Sequence, residues 1–285
     1  MKNYLELAKP GIVLGNLLPA AAGFLLISRG AIDWARGAAL IAGLALVIAS
    51  ACATNNYIDR DIDTAMARTK GRPTASGTLS AGQALGFAAI SGSIGFLILY
   101  FGANALAAEL ALFGWFAYVV LYSLLAKRRT IYNTLVGAIS GAMPPVIGCA
   151  AAGFGVGPAA FILFASLVFW QMPHFYAIAM YRAPEYAAAG VPTMPAARGM
   201  RFARLSILLY IILFALTAPL LWLVGAEGAI YAAAMAIVGL AWFVVGIASL
   251  QMDAAPWARR MFFCSLIVIL VFSVFVALGA TFTLP

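Results

Sequence analysis

Asn55, Asp59 and Asp63 recur at four-residue intervals within "TNNYIDRDIDTAMARTKGRP", residues 54–73. On a helix that spacing forms one stripe, drifting by about 40° per step. Asn56 lies near the same face, whereas Asp61 is about 200° from Asp59 and points away. Two carboxylates one turn apart, aided by an amide oxygen, suit a hard cation. Mg²⁺ is usually held by one or two carboxylates, with phosphate oxygens and water completing its shell. Arg68, Lys70 and Arg72 follow in the next stretch, and Lys127, Arg128 and Arg129 form a second basic run. A diphosphate with its magnesium needs this mixture, acids for the metal and bases for the uncovered oxygens. We therefore expect Asn55, Asp59 and Asp63 at a metal, and Arg68, Lys70, Lys127 and Arg128 at phosphate. The plainer reading is a set of solvated charges at a helix end. Like charges at i, i+4 are mildly destabilising on a helix, which weighs against it.

A second stretch, "FWQMPHFYAIAMYRAPEY" (169–186), carries the only histidine, His174, directly after Pro173. An imidazole in an otherwise apolar segment is a functional candidate, suited to iron ligation, a hydrogen bond or proton transfer. Its structural alternative is a satisfied hydrogen bond between helices. Phe169, Trp170, Phe175, Tyr176 and Tyr181 surround it. They suit either an interfacial belt or a pocket for a flat ring or a developing cation.

The elements that must position these groups are membrane helices. The chain has 285 residues, 65% hydrophobic and 9% charged, against roughly 25% charged in soluble domains. Apolar runs of about 20 residues recur from end to end, the length that crosses a hydrocarbon core of about 30 Å. Alternating ten-residue strands are absent, which argues against a barrel. The expected fold is all-α: one polytopic intramembrane domain over residues 1–285, with nine spans near 10–28, 37–57, 83–103, 105–126, 132–154, 158–181, 204–224, 228–249 and 261–281. "MKNYLELAKPG" contains Glu6 and leads into a spanning run without a clear cleavage site, so we do not expect a cleaved signal. Cys52, Cys149 and Cys264 all fall in spans and lack metal-ligand spacing, which reads as apolar packing.

With the N-terminus inside, 15 of the 17 basic residues fall on the inner side, and only Arg29 and Arg36 fall outside. The net charge of +8 is thus a topology signal and implies no nucleic-acid partner. The longest inner loops follow spans 2 and 6, which hints at two four-helix halves plus a ninth helix. Gly and Pro inside spans, as in "GAISGAMPPVIG", permit close helix approach or a break facing a cavity.

The Asn/Asp-rich stretch resembles the first motif of the UbiA-type intramembrane prenyltransferases. "KPGIVLGN", "YSLLAKRRTIYN", "GAMPPVIG" and "PHFYAIAMYRAPEY" followed by "AGVPTMP" are similar, more narrowly, to its haem-farnesylating branch, the protohaem IX farnesyltransferases. The resemblance covers essentially the whole chain. Other members carry a second aspartate-rich motif after span 6; here that place holds His174 and Glu185 and no Asp.

The resemblance implies a nine-helix bundle in the cell inner membrane, with a lateral cavity whose polar mouth faces the cytoplasm. It implies transfer of farnesyl from farnesyl diphosphate to a vinyl group of haem B, with addition of water, giving haem O and diphosphate. In that setting Mg²⁺ on Asp59 and Asp63, supported by Asn55, would neutralise the leaving diphosphate, and His174 would bind haem. Tyr118, Tyr122 and Tyr176 are candidate cation-stabilising aromatics. A downstream haem-modifying enzyme is a candidate partner. Two other readings remain. A UbiA-type enzyme with a quinone-ring or other aromatic acceptor is disfavoured by the missing second Asp motif. A transporter is disfavoured because ionisable groups gather at the inner ends of spans, whereas transporters tend to place them near the midplane.

Overall fold

The computed structural model describes residues 2–282. Met1 and residues 283–285, which the single-domain reading includes, lie outside the described residues. Among the described residues nine helices are long and apolar enough to cross a membrane, and no strand occurs. They are α1 (Pro10–Ser28), α2 (Trp34–Ile58), α3 (Ala81–Gly102), α4 (Ala105–Ala126), α5 (Asn133–Gly153), α6 (Pro158–Tyr181), α7 (Met194–Leu223), α8 (Ala229–Ala248) and α9, whose apolar stretch is Ala254–Gly279.

Local chemistry sets several starts. Ser80 and Gln83 form a reciprocal capping box on α3. Asn104 accepts from Ala107 N–H at 2.8 Å to cap α4, and Asp33 caps α2 through Arg36 N–H at 3.1 Å. Each cap is worth about 1 kcal/mol. The α7 helix begins ten residues before the expected 204, because Pro195 starts a turn that breaks at Gly199 (φ 85°) and then continues. Similarly, α9 begins at Ala254 and not at 261.

With lipid on the outside there is little hydrophobic force between helices, so close packing must hold the bundle. Small residues supply it. A Cβ on Gly148 of α5 would lie 2.0 Å from the Ala20 carbonyl oxygen of α1. The α2–α3 pair is also tight, since a Cβ on Gly95 would meet the Gly43 carbonyl oxygen at 2.7 Å. Long apolar side chains such as Ile230 (83% exposed) and Phe101 (80%) face outward, where lipid tails meet them. A short helix, Lys2–Ala8, lies against the C-terminal end of α2. Buried Leu7 anchors it there, and its carbonyl accepts from Asn56 Nδ2 at 3.0 Å.

Two irregularities shape the interior. The C-terminal half of α4, Ala117–Ala126, is a π-helix, and Lys127 N–H closes on the Tyr122 carbonyl five residues back. Such widened turns are rare and cluster at functional sites. The α5 span is broken near Ala142, just before Pro144 and Pro145, and is the most buried of the nine. At the opposite end of the bundle, Glu227 in the α7–α8 loop is only 3% exposed. Neither of its carboxylate oxygens has a hydrogen-bond partner among the described residues. It abuts Gly279 of α9 so closely that a Cβ there could not fit.

Candidate active site

The end of α2 delivers the acidic stripe. Asp59 interrupts the helix (φ −88°, ψ 1°), yet its N–H still bonds Asn55 O at 2.9 Å and Asp63 N–H bonds Asp59 O at 2.8 Å. The i, i+4, i+8 register therefore survives the break. Asn55, Asp59 and Asp63 are 3%, 0% and 1% exposed. Buried carboxylates must be paired, and each is. Asp59 Oδ2 accepts from Lys127 Nζ and from Asn55 Nδ2. Both Asp63 oxygens accept from Arg72 Nη1, at 2.9 and 2.7 Å. Asn55 also donates to Ser123 Oγ at 3.0 Å, and its own Oδ1 accepts from Lys9 Nζ at 2.8 Å.

Lys9 precedes Pro10 and holds a left-handed conformation (φ 53°, ψ 67°), uncommon outside glycine. Strain of that kind persists where the surroundings fix it, often at functional sites. Burial lowers the Lys9 ammonium to about 8, since an apolar setting disfavours its charge. Three cations from three separate segments thus converge on one acidic stripe.

A cavity of about 460 Å³ opens beside this cluster. Lys127, Tyr118, Tyr122 and Cys52 line it at one part, and Trp170, His174, Phe175, Leu266 and Ile269 at another. Tyr118 and Tyr122 stack at 5.7 Å on the π-helical segment. His174 is held between α6 and α9: its ring stacks on Trp170 at 5.1 Å and lies 4.9 Å from Phe262. Its Nδ1 is 2.8 Å from Ser265 Oγ.

Some expected residues are elsewhere. Arg68 and Lys70 are exposed on the loop after α2; Asn55, Asp59, Asp63, Lys9 and Arg72 do not line the cavity either, but Lys9 and Arg72 bond to the stripe. The turns between Met66 and Ser76 aim Arg72 inward in their place. Arg128 pairs with Asp61 through two 2.6 Å bonds, on the exposed face opposite the stripe. Tyr176 is 3% exposed and packs edge-on against Tyr210 of α7; the helical step turns its neighbour Phe175 to the cavity. Asn56 faces the N-terminal helix, not the stripe. Glu185 is tied to Arg182 at 2.7 Å. Lys9 and Ser123 had not been expected in the site. The Lys9-Pro10 dipeptide at a helix start was the available signal for the former.

The donor set fits a hard cation in part. Asp59 Oδ1 is buried without a hydrogen-bond partner, an orphan acceptor beside a second carboxylate. No three acidic, His or Cys side chains cluster among the described residues, so substrate oxygens must complete any such shell.

The decisive comparison is with family models: residues 16–267 match the UbiA prenyltransferase family. The chain belongs to the UbiA prenyltransferase family. Among curated relatives of this UbiA-family chain, the protoheme IX farnesyltransferase of Marinomonas sp. (strain MWYL1) is 45% identical over 281 residues, covering 97% of this chain and 94% of its own. The protoheme IX farnesyltransferase 2 of Chromobacterium violaceum is 45% identical over 280 residues, 97% and 92%. Among solved structures, a digeranylgeranylglyceryl phosphate synthase superposes with TM-score 0.78 at 20% identity, covering 98% of both chains. A UbiA homologue from Archaeoglobus fulgidus bound to GPP and Mg²⁺ gives 0.74 at 17% identity, over 96% and 99%. At these identities the structures establish the UbiA-type fold. The chain is a multi-pass membrane protein and, by its family, a prenyltransferase.

Proposed function

We propose that this prenyltransferase moves the farnesyl group of farnesyl diphosphate onto a vinyl carbon of haem B, giving haem O. One observation carries the reading: a single cavity runs from Lys127, the partner of Asp59, to the aromatic wall that holds His174. The names of the 45%-identical relatives support the same substrates.

Mg²⁺ would sit on Asp59 and Asp63, with Asn55 beside them, and would supply charge neutralisation for the diphosphate. The rest is done by the chain. Lys127, Arg72 and Lys9 meet the remaining phosphate oxygens as the allylic C1–O bond breaks and diphosphate leaves with the electron pair. Preorganised charges in a water-poor site act strongly on such a step. The stacked faces of Tyr118 and Tyr122 lie deeper along α4 than Lys127, where an allylic cation develops; aromatic faces attract cations. The apolar cavity walls limit early capture of that cation by water. The terminal vinyl carbon then attacks C1. The positive charge left on the inner vinyl carbon is taken by water, which loses a proton and yields the hydroxyethylfarnesyl group.

The charge sorting argues for an N-terminus in the cytoplasm, with the polar mouth at the inner face of the plasma membrane. Purified protein given labelled farnesyl diphosphate and haem B should form haem O with Mg²⁺, and lose that activity on chelation. Prenylation of 4-hydroxybenzoate with none of haem B would overturn the acceptor assignment.

A further inference from the structure

Ser265 lies in the middle of α9 and is 0% exposed. Its carbonyl accepts from Trp170 Nε1 at 2.7 Å, and its hydroxyl oxygen lies 2.8 Å from His174 Nδ1. Trp170 and His174 are four residues apart on α6, so Ser265 receives two successive rungs of one helical face. The same hydroxyl lies 2.5 Å from the Phe262 carbonyl, one turn back.

A hydroxyl has one proton to give. Were it given to His174, two acceptor oxygens, Ser265 Oγ and Phe262 O, would face each other at 2.5 Å with nothing between them. The proton therefore goes to Phe262, and Ser265 Oγ can only accept from the ring. For the neutral imidazole this assigns the hydrogen to Nδ1 and leaves Nε2 with a free lone pair. His174 lines the cavity, and among the described residues the hydrogen bond of its ring is made at Nδ1. Trp170, Phe262 and Phe175, the last at 5.1 Å, fix the plane of the ring.

We propose that Ser265 is a positioning residue that locks His174 in the Nδ1–H tautomer, so that Nε2 meets the iron of the porphyrin acceptor. The inference rests on the haem B reading above. Histidines that ligate metals commonly donate their second N–H to such a partner, and losing the partner costs roughly 10–100-fold in affinity.

Two measurements test it. His174 is the only histidine, so ¹⁵N-histidine labelling reports one ring. The wild-type protein should show the Nδ1–H pattern, and Ser265→Ala should lose it. In haem B titrations of protein in detergent, Ser265→Ala should weaken binding roughly 10–100-fold and move the Soret band away from that of the wild type. Ser265→Thr should restore both, and binding of farnesyl diphosphate should stay the same in all three. Melting temperatures taken on the same samples separate loss of the ligand from loss of the fold. A wild-type Nε2–H pattern, or a folded Ser265→Ala variant with unchanged haem affinity and spectrum, would overturn the role of Ser265 alone. Failure of the wild-type protein to bind haem B would instead overturn the acceptor assignment on which it stands.

Discussion

Arg128 grips Asp61 through two parallel 2.6 Å hydrogen bonds, on the open side of the helix end whose protected side holds Asp59. The same guanidinium also donates to the Ile58 carbonyl at 2.8 Å, tying the α4–α5 turn to the end of α2. The Asp61 side chain is 62% exposed, and exposed pairs contribute about 0.2–1 kcal/mol. Breaking a buried pair such as Asp59–Lys127 costs about 3–5 kcal/mol.

Asp61→Asn should therefore keep turnover within about fivefold. Asp59→Asn or Asp63→Asn should lower it by about 100-fold or more, in variants that still purify as folded protein. Steady-state haem O formation checks this; a more damaging Asp61 variant would show that the stripe is misassigned. Arg128 holds Asp61 down to about 2 from the ordinary 3.8, chiefly by hydrogen bonding. The pair's contribution is thus complete above about pH 4 and fades only toward pH 2.

Arg72 reaches Asp63 of the acidic stripe and its neighbours Arg68 and Lys70 stay exposed. Arg72→Ala should weaken farnesyl diphosphate binding about 10–100-fold, the worth of a charge-assisted bond. Arg68→Ala and Lys70→Ala should each change it less than about threefold. Equilibrium binding of a non-hydrolysable diphosphate analogue measures all three.

Glu227 should make stability depend on pH. Burial pushes its carboxyl up from 4.5 to about 8. The folded state then keeps a proton that the unfolded chain has released, so stability falls as pH rises from about 4.5 to 8 and is flat above. Glu227→Gln should flatten the melting temperature across that window. An unchanged slope in the variant would assign the dependence to other groups.

Orientation can be read from two loops. A reporter inserted at Gly77 should be active in the cytoplasm, and one inserted at Gly225 should be active only outside. The reverse pattern would invert the proposed topology.

Hydropathy made the spans legible, because a chain that does not close into a barrel must cross a bilayer as long apolar helices. The stripe of Asn55, Asp59 and Asp63 was equally legible, since the 3.6-residue turn carries through its small break. What pattern could not reveal depends on tertiary aim. Arg72 was one of three basic residues in the loop after α2, and only the fold of that loop selects it. Lys9 reaches Asn55 across 46 positions from a backbone conformation that spacing does not encode. Choosing Tyr176 over Phe175 failed by one helical step. Ser265 looks like any small residue inside an apolar span, and its use appears only when α9 is laid against α6.

The π-helical C-terminal half of α4 has a consequence for how this sequence tolerates change in length. Residues 117–126 wind more slowly than an ordinary helix, as though one residue too many had been taken up. Deleting a single residue there would restore regular pitch at little cost in membrane anchoring. Everything beyond the deletion would swing by about 100°. Tyr118 and Lys127 would then no longer line one wall, although each side chain would still be present. Within these ten positions, insertions and deletions govern the chemistry more than exchanges of one apolar residue for another.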